Sequence, residues 1–82
     1  MKTVKQLKME LRNRIEDVKV TYRLNNREIG EAAGVTNVTV GRAINSPHLL
    51  KAETVEQVYQ GCLRLEQQRI KSLTKRQSEV IG

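Results

Sequence analysis

The chain has 82 residues, 15 of them Lys or Arg against 9 Asp or Glu, for a formal charge of +6. That is room for one small domain, marginal alone and often helped by a partner subunit, with a basic excess that favours nucleic acid or an acidic membrane surface. One cysteine excludes an intrachain disulfide, no apolar run is long enough to span a membrane, and the charged opening Met1–Lys5 is unlike a signal peptide, so a cytoplasmic setting is expected.

In chain order, Thr3 and Gln6 have the spacing of a capping box that opens a first helix. Val4, Leu7, Leu11, Ile15, Val18 and Tyr22 recur at helical spacing and carry it to about Arg23. Asn25 and Glu28 repeat the capping-box spacing, with Leu24 and Ile29 at the positions of a hydrophobic staple, so a second helix starts near Asn26. It ends before Gly34, a residue suited to a left-handed cap. Thr36 is a fitting N-cap for a third helix. Val40, Ala43 and Ile44 share one face of it, and Asn37, Val38, Gly41, Arg42 and Asn45 fall on or near the other. The run Val38-Thr39-Val40 is locally β-favouring and competes with that helix.

Asn45-Ser46-Pro47-His48 breaks the pattern. A fourth helix, about 52–73, follows with Val55, Val58, Tyr59, Cys62, Leu65, Ile70 and Leu73 on its inner face. Residues 75–82 give weak signals and are expected to form a flexible tail. The expected fold is all-α: a helix-turn-helix bundle of four main helices, long at both ends, over residues 1–74, with the helix-turn-helix at about 26–45.

The stretch "EIGEAAGVTNVTVGRAIN", residues 28–45, joins two demands. Small residues (Gly30, Ala32, Ala33) let two helices cross closely, and Gly34 supplies a turn conformation costly to other residues. The polar residues suit DNA: an amide can pair with adenine, an arginine with guanine, and a valine can touch a thymine methyl, which makes Asn37, Val38 and Arg42 base-reading candidates. Thr36, Thr39 and Asn45 suit phosphates, and Asn26 and Arg27, at the start of the second helix, complete the phosphate-contacting set.

This stretch, followed by Thr54, Val58 and Leu65, resembles the DNA-binding headpiece of the lac-repressor family, whose pattern reads roughly A-G-V-S-x-x-T-V-S-R-x-x-N, then T-x-x-x-V. The match covers about Ile29 to Leu65. The resemblance implies that Asn37 and Val38 hold the two main base-reading positions, that Arg42 also contacts a base, and that Thr36, Thr39 and Asn45 contact phosphates. Gly30 stands where that family usually has alanine, and Gly41 replaces a phosphate-contacting serine. The family's hinge and sugar-binding domain do not follow, so no small-molecule effector is expected. The extra first helix is similar to that of the lambda repressor and Cro superfamily, which includes many small phage and plasmid regulators.

Each sharp reading has a plain rival. Arg42 can be a solvated surface arginine, and Val38 can belong to the core. Arg12, Arg14, Lys19, Arg23 and Arg27 either line a phosphate-facing side or are the wet face of amphipathic helices. Cys62 fits the core as a small hydrophobe, and His48 reads as a connector residue. One His and one Cys complete no nucleophile–base set, no Cys/His cluster has zinc spacing, and no Gly-rich phosphate loop follows a strand, so no enzymatic activity, cofactor or metal is expected.

The expected function is sequence-specific binding of duplex DNA by a transcriptional regulator, a repressor acting as a homodimer on a palindromic operator in a bacterial or phage-infected cell. The expected pairing surface is the fourth helix, through Tyr59, Cys62, Leu65, Ile70 and Leu73, with the first helix, through Val4, Leu7 and Leu11, as the second choice. The alternative is a protein-interaction module, an antitoxin or antirepressor that uses the same fold. The absence of Phe and Trp counts against RNA reading, where bases usually stack on aromatics.

Overall fold

A computed structural model of the protein describes residues 2–81, with side chains through Ser72. The elements are α1 (Val4–Thr21), α2 (Asn26–Ala33), α3 (Asn37–Asn45), a 3-10 turn at Pro47–Leu49, and α4 (Ala52–Ile81). The chain is all-α, with no strand among the described residues. In the β-favouring run, Val40 is fully buried on α3, and tertiary burial outweighs local propensity there.

Both positions with capping-box spacing form N-caps, but only the first closes the full box. The Thr3 hydroxyl accepts from the Gln6 amide at 3.2 Å, and the Gln6 side chain accepts from the Thr3 amide at 2.9 Å. Asn25 Oδ1 accepts from the Glu28 amide at 2.8 Å, but the Glu28 carboxylate receives the Asn25 side-chain amide at 3.3 Å instead of its backbone N–H. Leu24 and Ile29, the staple pair, are both buried.

α1 stops at Thr21, two residues before the expected end. Tyr22 caps it and Arg23 takes a left-handed φ of 53°. The Leu24 amide then donates to the Lys19 carbonyl at 2.9 Å and the Arg23 amide to Val20 at 3.4 Å. These are the two bonds of a Schellman motif, closed here by an arginine where glycine is usual.

The core is built from Leu11 and Ile15 of α1, Leu24, Ile29 of α2, Val40, Ala43 and Ile44 of α3, and Val55, Val58 and Cys62 of α4. Cys62 is wholly enclosed, and burial pushes its thiol up from 9.0 to about 11, against the opposing pull of the Lys19 ammonium. It is a core residue and not part of a pairing surface, which corrects its expected place among the dimer contacts.

A second face of α4 clamps the end of α2. The last carbonyls of a helix lack partners within it. Here Gln57 Nε2 donates to the Ala33 carbonyl at 2.8 Å, and Arg64 Nη1 to the Ala32 carbonyl at 2.9 Å. Gly61 lies between those two residues in sequence, and a Cβ on it would fall 2.6 Å from Ala33 Cβ and 2.8 Å from Ala33 N. α2 and α4 therefore touch backbone to backbone at this point.

Beyond the body, α4 continues through residues 75–81, where a flexible tail was expected. That stretch holds Lys, Arg, Gln and Glu, good helix formers, and neither Gly nor Pro before Gly82. Among the described residues no helix is long and apolar enough to cross a membrane.

Two glycine exchanges should move stability in opposite directions. Gly61→Ala gains about 1 kcal/mol of helix propensity but meets the Ala33 backbone, a cost of about 1–3 kcal/mol, so a net loss is expected. Arg23→Gly relieves roughly 1–2 kcal/mol of left-handed strain against a smaller entropic cost, so the melting temperature should rise. Urea titration of both variants checks the signs.

Cys62 gives a pH dependence. Its thiol stays protonated in the fold up to about pH 11, whereas the unfolded chain releases the proton from 9.0 upward. Stability should therefore fall as pH rises through that window. Because lysines titrate there too, the measurement is the loss in the wild type relative to Cys62→Val.

Candidate nucleic-acid interface

α3 is fixed at both ends and along one side. At its start the Thr36 hydroxyl accepts from the Thr39 amide at 3.2 Å and lies 3.1 Å from the Thr39 hydroxyl. At its end the Ser46 amide donates to the Arg42 carbonyl at 2.8 Å, and Arg12 Nε of α1 donates to the Ile44 carbonyl at 2.9 Å. Val40, Ala43 and Ile44 face the core.

The opposite side faces outward. Asn37, Val38, Arg42 and Asn45 are all exposed, and Val38 is 57% exposed, so it is a surface residue and not part of the core. Among the described residues the side chains of Asn37, Arg42 and Asn45 make no hydrogen bond or ion pair. Gly41, on the same side, has only Asn26 Nδ2 near its missing Cβ, at 3.7 Å. The exposed strip thus joins an amide, an aliphatic side chain, a guanidinium and a second amide over about 12 Å of helix.

The turn that presents this strip is tight. Gly34 closes α2 with a φ of 76°, and the Val35 amide donates to the Gly30 carbonyl at 2.9 Å. A Cβ on Gly30 would lie 2.7 Å from the Val35 carbonyl oxygen. An alanine here would require the turn to shift, which offsets the roughly 1 kcal/mol that glycine costs in a helix.

The phosphate candidates divide. Thr36 is exposed and Thr39 half-buried, and both hydroxyls are engaged in the cap. Asn26 is half-buried, with Oδ1 accepting from Lys19 Nζ at 2.7 Å, so it ties α1 to α2. Arg27 extends into solvent, 3.4 Å from Glu31 in an exposed pair of the kind worth little.

Three cations of α1, and Arg23 just beyond it, serve the fold more than an open surface. Arg12 holds the end of α3, also bonds Asn13 at 2.9 Å and pairs with Glu16. Arg14 lies over the Tyr59 ring at 6.0 Å, Lys19 is engaged by Asn26, and Arg23 forms the left-handed cap. His48 is exposed on the 3-10 turn, as its connector position suggests.

On α4, Tyr59 and Leu65 are half-buried against the core and Ile70 is 41% exposed. The side chain of Leu73 lies outside the described residues. Gln57, Gly61 and Arg64, which set the α2–α4 contact, were missed by sequence reasoning. Their signal is a helical i, i+4, i+7 row with a costly glycine in its middle. No group of three or more His, Cys, Asp or Glu among the described residues could hold a metal ion.

Comparison with protein-family models, with curated proteins and with solved structures finds no match to this chain, so what the strip on α3 does must be read from its own residues.

Proposed function

We propose that the protein binds duplex DNA sequence-specifically through α3 and regulates transcription, as a repressor that covers its operator. The observation that carries this is the exposed side of α3, where Asn37, Arg42 and Asn45 hold donors and acceptors that no partner among the described residues uses, while many of the chain's other cations are paired internally. Free polar groups on a rigid helix have the chemistry of base edges: Arg42 for guanine, Asn37 for adenine, Val38 for a thymine methyl. Thr36, Thr39, Asn45, Asn26 and Arg27 would set the register against phosphates. The sequence resemblance of 29–65 to the lac-repressor headpiece, and of the helix order read from the sequence to lambda-repressor-like regulators, supports the same reading.

One short recognition helix covers few base pairs, so a homodimer on a palindromic site completes the proposal. With Cys62 in the core, the pairing surface moves outward along α4, to the region of Leu65, Ile70 and Leu73. The cytoplasm of a bacterial or phage-infected cell is the setting this implies.

Selection of bound duplexes from random DNA, run on the wild type and on Arg42→Ala, tests the reading. The wild type should enrich a palindromic consensus. The variant should lose about 1–3 kcal/mol on that consensus and relax one base position per half-site, and binding by both should weaken steeply with salt. If the wild type enriched no sequence, the protein-interaction reading would replace this one. Unchanged affinity and preference in Arg42→Ala would refute the assignment of α3.

A further inference from the structure

Between the first half of α1 and the end of α3 lies a cleft of about 810 Å³. Its base is apolar: Ile44 and Pro47 are buried, and Met9 of α1, 44% exposed, forms one wall. Its rim carries the cations of Lys5, Lys8 and Arg12 beside the imidazole of His48, and no carboxylate lines it. Lys5 and Lys8 make no ion pair or side-chain hydrogen bond among the described residues. Arg12 is held in place by the Ile44 carbonyl and Asn13, so its charge is fixed at the edge of the cleft. Glu16 pairs with Arg12 from outside the lining and offsets part of its charge, and Glu10 is committed to Lys2, so Lys5 and Lys8 are the rim cations left uncompensated.

Each of these features narrows the occupant. The volume falls in the range of small-molecule sites, and an apolar base with a few charged groups at the edge is their usual composition. A bare phosphate, free or in a nucleic-acid backbone, would meet the lysines and leave the exposed Met9 side chain in contact with water. A neutral apolar molecule would cover the base and leave the lysines uncompensated. We propose that this cleft is a binding site for a small amphipathic anion, a carboxylate on a short apolar body, with the body over Met9 and Pro47 and the anion between Lys5 and Lys8. Asn45 also lines the cleft, and the Arg12–Ile44 bond runs along its edge. An occupant would therefore sit against the last turn of α3. The inference does not depend on what α3 binds.

The test is a methyl-detected NMR titration of the full chain with three probes: octanoate, octanol and inorganic phosphate. Octanoate should shift the Met9 and Ile44 methyls saturably, with octanol and phosphate weaker by about tenfold or more. Lys8→Gln and Met9→Gln, both surface exchanges, should each weaken octanoate by about tenfold while the buried Ile29 methyl keeps its position. Equal response to phosphate would overturn the proposal in favour of a general anion contact. Equal response to octanol would reduce the cleft to an apolar crevice, and octanoate shifts still linear at about 10 mM would mean there is no site.

Discussion

Two carbonyls at the end of α2 have no partner inside their own helix, and α4 supplies both. Gln57 reaches Ala33 and Arg64 reaches Ala32, with Gly61 between them so that the two backbones can meet. This contact satisfies the end of α2, which Gly34 closes, and Gly34 and Gly30 set how sharply α3 leaves it. α3 has only nine residues, too few to be a stable helix alone. It is helical because Thr36 caps it, Arg12 holds its last turn, and Val40, Ala43 and Ile44 are buried in the core that all four helices share. Its outward side chains are left without internal work, which is the condition for meeting a partner on a rigid frame.

The charge of the chain is divided in the same way. Arg12, Lys19, Arg64 and Arg69 are used inside the molecule, on two carbonyls, an amide and a carboxylate. Lys5, Lys8 and Arg42 are not, and they lie on the α1 and α3 surfaces that meet at Asn45. A formal charge of +6 is therefore less informative than its distribution: long-range attraction of a polyanion follows from the total, but recognition needs the groups that are still free.

Much of the fold was legible because its signals are local. Caps at Thr3, Asn25 and Thr36 declare themselves by spacing, and so do the apolar faces of α1 and α3. The harder features depend on distant pairs. Arg23 in a left-handed cap has no residue-type signature. The Arg12–Ile44 bond joins positions 32 apart, so Arg12 resembled any other surface cation. Gly61 belongs to α4 by periodicity, and only the approach of Ala33 explains why no side chain stands there. Val38 was ambiguous because one position in a helical pattern can face either way near a boundary, and 57% exposure resolves it. Cys62 fitted an apolar series that serves both core and pairing surface, and its depth in the core assigns it to the former.

The central claim is that the outward side of α3 is the contact surface for duplex DNA. An amide NMR titration with a short duplex at low salt addresses it most directly. The account predicts the largest shifts at residues 36–45, with smaller ones at Asn26 and Arg27 and little change where α1 packs on α4. Shifts confined to α4, or none above those caused by an equal charge of a flexible polyanion, would contradict it.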